Sequence, residues 1–206
     1  MSATDSPGLW PRLCGDLPPL DVPFLEQEPE GQPRHLALGL AYLVWAFGVG
    51  QFIERRVTEK LARQQVSYTH LVASPAPLNT LLWRVVGIEK DRYFETYISL
   101  FDRDAPLSVR FYPRNLNLMA GLEAHPPVAK LRWFTRGYYA FSAVGDSVVM
   151  TDLRMGAEPD YVFRFKVARL SAANPIPIDD ERFKTNRDLR SLAWVWKRIW
   201  NAGVPP

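Results

Sequence analysis

Cysteine is nearly absent: Cys14 is the only one in 206 residues, so an intramolecular disulfide and a thiolate metal site are both excluded. It lies in a proline-rich stretch with no base beside it, and it reads as an incidental thiol rather than a nucleophile. Histidine is almost as scarce. His35, His70 and His125 are far apart and show no H-x-x-x-H or H-D spacing, so no metal site can be written from them. There is no G-x-S-x-G elbow, no Walker-type glycine loop and no G-x-G-x-x-G, which removes the usual signatures of acyl transfer and nucleotide binding. Clustered positive charge is missing too. The net charge is +3, without the basic stripe that a nucleic-acid partner requires, and the excess is better matched to anionic lipid headgroups. Glycine is outnumbered by proline, 12 to 18, which points to extended segments and stiff loops. What is present is packing material: 47% hydrophobic residues and 13% aromatics, enough for one folded domain with appendages.

Residues 1–35 carry seven prolines and no steady hydrophobic period, and read as an arm without regular structure. They do not read as a secretory signal, because the first apolar run starts some thirty residues in. That run, residues 36–53, contains no charged side chain. At about 1.5 Å per residue it makes a helix of roughly 27 Å, close to the hydrocarbon thickness of a bilayer, so a membrane helix is favoured over a buried core helix. Residues 54–66 continue the helix as a charged stalk, on which Val57 and Leu61 keep a helical period. Arg55, Arg56, Lys60 and Arg63 follow the run while Arg34 alone closely precedes it, and the positive-inside rule places the following domain in the cytoplasm.

From residue 67 to 206 the pattern is that of an α+β domain. Period-two alternation marks strands over 67–73, 80–88, 92–101 and 107–112, then over 138–144, 148–153 and 161–169, predicting a mostly antiparallel sheet. Tyr161, Phe163, Phe165 and Val167 fall on one face of the last of these strands. Asn115 can cap a helix through Glu123, a second helix fits 127–137, and a Gly145-Asp146 turn joins two strands. Residues 188–200 form a closing amphipathic helix with Trp196, Ile199 and Trp200 on the apolar stripe and Lys197 and Arg198 beside it. Its stripe suits packing on the sheet better than a place in the headgroup layer.

Two strings hold the candidate ligand-binding residues. In residues 74–84 the prolines set an extended approach, Asn79 is a turn residue, and Trp83 and Arg84 point to opposite sheet faces. In residues 151–156 Asp152 and Arg154 share a strand face, where a structural ion pair with Gly156 ending the strand is the plainer reading and a polar ligand the sharper one. No general base accompanies either string, so no catalytic residue can be named.

P-x-P-x-N-T-L-L-W-R over 75–84 and T-D-L-R-x-G over 151–156, together with L-R-W-F-T-R-G-Y over 131–138 and the strand 161–167, give a resemblance. The chain, over residues 36–166, resembles the carboxyl-terminal region of a bacterial inner-membrane family described as metal-dependent hydrolases. The resemblance implies further membrane helices with metal-binding histidines and aspartates in an amino-terminal half that has no counterpart here. It implies a divalent metal for the full-length family and none in this chain, and a truncated or split gene product beginning in the loop before the last family helix. Three functions follow as expectations. The chain is an accessory domain acting with a metal-bearing, multi-helix membrane half on another chain or in a longer native product, or a stand-alone membrane-tethered module for a polar or lipid-like ligand, or an inactive gene product.

Overall fold

The computed structural model describes residues 32–77, 79–103, 105–171, 175–183 and 192–204. The arm predicted for residues 1–35 lies outside these except for its last four, which already belong to a helix. Helix α1 (Gln32–Arg63) runs for 32 residues across the boundary between two compact units, Met1–Leu43 and Val44–Pro206. It is long and apolar enough to cross a membrane. In the first unit its large side chains are exposed, among them Leu36, Leu38, Leu40 and Leu43.

The second unit is α+β. Strands β1 (His70–Pro75), β2 (Leu82–Glu89), β3 (Arg92–Ser99) and β4 (Arg110–Pro113) form one antiparallel meander, and β5 (Tyr139–Val144), β6 (Ser147–Asp152), β7 (Phe163–Arg169) and β8 (Ile176–Arg182) form another. Sequence periodicity predicted a single sheet because alternation reports faces, not which strands pair. The β2–β3 hairpin pairs Glu89 with Arg92 across Lys90-Asp91, and the β5–β6 hairpin pairs Val144 with Ser147 across the expected Gly145-Asp146 turn, where Gly145 has φ 59°. Gly87 opposes Phe94, and a Cβ there would lie 2.1 Å from the ring, so only glycine lets that ring cross the strand.

One face of the first sheet receives α1. Val49, Ile53, Val57 and Leu61, four residues apart, are buried against Trp83, Val85, Phe94 and Ile98. Complete burial of such side chains is worth about 1.5–3 kcal/mol each, so this stripe is a main source of the unit's stability. The segment read as a stalk is therefore core helix, and its charges are used locally: Arg56 donates to the carbonyls of Leu100 (3.3 Å) and Arg103 (3.0 Å), and Lys60 to those of Arg103 (2.7 Å) and Ala105 (2.5 Å). The other face packs Val86, Ile88 and Tyr93 against Ala140, Leu153 and Tyr161 of the second sheet region. The far face of that second sheet buries Phe141, Val148, Met150 and Val167 under Leu122 and under Val128 of α2 (Pro126–Thr135).

Several expectations change. The helix predicted from Asn115 is only a 3-10 turn, Leu116–Met119, because Asn115 takes a left-handed conformation (φ 50°) and spends its amide on the Phe141 carbonyl at 2.9 Å rather than capping. Strand β8 was not predicted, its prolines and acids masking it. Tyr161 lies ahead of β7 in the core between the sheets, apart from Phe165 and Val167, which join the far core. Helix α3 (Leu192–Trp200) docks on β2 and β3 through Trp194, Val195 and Ile199, and leaves Trp196 and Trp200 exposed. Arg198, assigned to the polar side, is instead buried on Asp102 at 2.7 Å and on the Tyr97 carbonyl at 2.8 Å. The residues before Leu192 in that predicted helix lie outside the described ones.

Candidate functional site

Alternation along β2 and β3 sends Trp83 and Val85 toward α1 and Arg84, Tyr93 and Glu95 toward the second sheet. Arg84 and Glu95 are each 5% exposed, a charged pair deep between two sheets. Such a pair persists only when its remaining hydrogen-bonding groups are met. Arg84 Nη1 donates to the Leu153 carbonyl at 2.9 Å, and its guanidinium lies 5.5 Å from the Tyr161 ring centroid. The Tyr161 hydroxyl donates to Glu95, and its oxygen sits 3.4 Å from that of Tyr93. The Tyr93 hydroxyl donates in turn to Glu158 Oε2 at 3.0 Å, and the Glu158 amide to Glu95 Oε2 at 3.4 Å. The chain of contacts thus runs from a buried guanidinium to a carboxylate at the surface.

Its outer end opens into a cleft of about 300 Å³, lined by Tyr112, Asn115, Ser142, Asp160 and Arg164 beside Tyr93 and Glu158. Tyr93 and Tyr112 are stacked with centroids 5.4 Å apart. Burial pushes the Tyr93 and Tyr161 phenols well above their ordinary range, and Tyr97, on the same face, is pushed up to about 12. These hydroxyls stay protonated donors at physiological pH. Burial opposes the charge on Arg84, but the Glu95 carboxylate outweighs it and raises the guanidinium above its ordinary value. The arrangement holds fixed hydrogen-bond donors and acceptors at the inner end of the cleft.

The loop from Arg154 to Tyr161 depends on Gly156. At φ 102° it turns the chain so that the Val162 amide reaches the Met155 carbonyl at 3.0 Å, and a Cβ there would fall 2.7 Å from the Tyr161 Cα.

The five predicted ligand-binding residues separate. Asn79 closes its own turn, accepting from the Leu81 (3.0 Å) and Leu82 (2.7 Å) amides. Trp83 is buried on the α1 side and donates to the Thr80 carbonyl at 2.9 Å. Arg84 belongs to the network. Asp152 and Arg154 form a two-pronged pair, 3.0 Å at Nε and 2.6 Å at Nη2, with the guanidinium 4.8 Å over the Phe134 ring. The two sequence strings meet in space, since Arg84 of the first grips the Leu153 carbonyl between Asp152 and Arg154 of the second. Tyr93, Glu95, Glu158 and Tyr161 were missed. The available signal was Glu95, an acid on a strand face shared with Tyr93, Tyr97 and Ser99, in phase with Arg84.

Among the described residues no group of three or more His, Cys, Asp or Glu side chains converges as metal ligands do. His125 Nε2 is 2.8 Å from the Ile178 carbonyl, and His70 Nδ1 is 3.1 Å from the Thr69 hydroxyl. These donors do not fit the divalent metal that the resemblance implies. No family model, no curated protein and no solved structure matches the chain.

Proposed function

We propose that this chain is a membrane-anchored binding module, in which α1 inserts into a bilayer and the two-sheet unit holds a small polar ligand in the cleft beside Tyr93 and Glu158. The observation that carries the reading is the exposed apolar surface of α1: Leu36, Leu40, Leu43, Val44 and Phe47 are each more than 60% exposed on a helix with no charged residue from 36 to 53. Water exacts a cost of about 25 cal/mol for each Å² of such surface, and lipid removes it. The positive-inside rule, applied to Arg55, Arg56, Lys60 and Arg63, puts the unit on the cytoplasmic face of a bacterial inner membrane. The hydrolytic chemistry that the resemblance implies is assigned to a metal-bearing membrane half outside this chain.

The test is fractionation of the full chain expressed in bacteria. The unsubstituted chain should stay with the membrane pellet after alkaline carbonate. Leu40→Asp with Val44→Asp, each costing about 2.5–3.5 kcal/mol at a helix centre, should move it to the soluble fraction. Recovery of the unsubstituted chain as a soluble monomer without detergent would overturn the anchor. For the cleft, native mass spectrometry of the purified chain should show a co-purifying small molecule that Glu158→Ala and Tyr112→Ala release.

A further inference from the structure

The outer surface of α2 has no role in the cleft. Its inward residues are Val128, Leu131 and Thr135, while Lys130, Arg132, Trp133, Phe134 and Arg136 are all exposed. Trp133, at 79%, is the most exposed of the large hydrophobic side chains described. No acid lies between Pro126 and Tyr138, and among the described residues none of these three cations has an ion-pair partner. A tryptophan and a phenylalanine set among unpaired cations are what a headgroup layer accepts: the rings lie at the acyl boundary and the cations meet phosphates.

The segment that follows α2 adjoins the same edge strand as α1 does. Residues 46–54 of α1 run beside Leu71, Val72 and Ala73 of the edge strand β1. The start of that same strand, His70, meets Tyr138 with ring centroids 5.8 Å apart, and Tyr138 lies three residues beyond the end of α2. Within this unit the exposed apolar surface of α1 continues through Val44, Trp45 and Phe47, yet Val49 is only 5% exposed. Two residues, about 3 Å of helix, separate Phe47 from Val49, and Phe52 beyond them is again exposed.

We propose that the exposed face of α2, Lys130, Arg132, Trp133, Phe134 and Arg136, is a docking surface for anionic phospholipid. It deepens the anchored-module reading, since it fixes which face of the unit meets the lipid and leaves the cleft to a ligand.

The experiment measures vesicle binding of the full chain carrying Leu40→Asp and Val44→Asp, so that helix insertion is disabled and no cation is added. Vesicles are phosphatidylcholine alone or phosphatidylcholine with phosphatidylglycerol. Three cations near an anionic surface give a preference for the anionic vesicles on the order of a hundredfold at low salt, fading as salt rises. Adding Lys130→Glu and Arg132→Glu should abolish that preference, and Trp133→Ser should weaken binding at every salt concentration. Because these side chains are exposed, the thermal melt should be unchanged, which separates lost docking from lost folding. Equal or absent binding to the two vesicles, or a preference that survives the charge reversals, overturns the proposal. Failure of the anchor is read separately, from the unsubstituted chain on neutral vesicles, so either reading can fall without the other.

Discussion

Replacing Glu95 by glutamine tests whether the buried pair organises the interior. Glu95→Gln keeps the side chain's shape and an oxygen for the Tyr161 hydroxyl, but removes the negative charge facing Arg84. Arg84 is 5% exposed and a guanidinium does not deprotonate to escape, so the variant buries an uncompensated cation. Breaking a buried pair in this way costs about 3–5 kcal/mol. In a protein of this size each kcal/mol lowers Tm by about 2–4 °C, which gives a fall of about 6–20 °C. The assay is thermal unfolding of the full chain in mild detergent, followed by near-ultraviolet circular dichroism, which reports the aromatic-rich interior more than α1. Arg84→Met with Glu95→Leu removes both charges and should be far less damaging than the sum of the single changes, with a coupling of about 3 kcal/mol. It should not be neutral, because the Leu153 carbonyl and the Tyr161 hydroxyl each lose a partner at about 1–3 kcal/mol. A Glu95→Gln melt within about 2 °C of the unsubstituted chain, or single changes that add to within about 0.5 kcal/mol, would refute the reasoning.

Two further outcomes follow from the same interior. The phenols of Tyr93, Tyr97 and Tyr161 are raised above their ordinary value near 10, so their contribution is complete below about pH 10 and is lost as pH rises toward the folded values, about 12 for Tyr97. Each adds a slope of about 1.4 kcal/mol per pH unit there, so alkaline unfolding should be steep and each Tyr→Phe change should flatten it; an unchanged slope in Tyr93→Phe and Tyr97→Phe would show that these phenols titrate as if exposed. Gly156→Ala forces a side chain into a left-handed turn and onto the Tyr161 backbone, and should cost at least about 2 kcal/mol by chemical denaturation, whereas Gly145→Ala, with open space around it, should cost less than half of that.

Much of the strand pattern was readable because β2, β3, β5 and β6 are short runs rich in β-branched and aromatic residues, and the Gly145-Asp146 turn carries the residues a hairpin needs. The partition into two sheets was not readable, since it depends on the second meander folding across the first rather than beside it. Strand β8 was hidden by Pro175 and Pro177, which a pattern search treats as breaks although an edge strand tolerates them. Of the site, Arg84 was found and its partners were not. Glu95 and Tyr161 are 66 residues apart, and only the Gly156 turn brings the tyrosine back to the carboxylate. The orientation of α3 failed for a related reason: Arg198 reads as a surface cation until Asp102, 96 residues earlier, is known to face it.

Helix α1 passes from apolar to charged exposed faces along its length. Hydropathy assigns residues 36–53 to lipid and charge assigns 54–66 to water, which yields an anchor and a stalk. The buried positions divide the helix differently. Val49, Ile53, Val57 and Leu61 are one stripe with one spacing, and the change from apolar to charged composition happens around it, on the faces that do not touch the sheet. The composition change therefore marks where the helix's other faces pass from lipid-suited to water-suited surroundings, while the sheet-facing stripe continues unbroken. Val49 and Ile53 are committed to the protein core within the same window that hydropathy counts toward the membrane, while Trp45, Phe47 and Phe52 of that window keep exposed apolar side chains. The same few turns of helix therefore carry a core-suited stripe and apolar exposed faces side by side, and hydropathy, which averages a window over all faces, cannot separate the two.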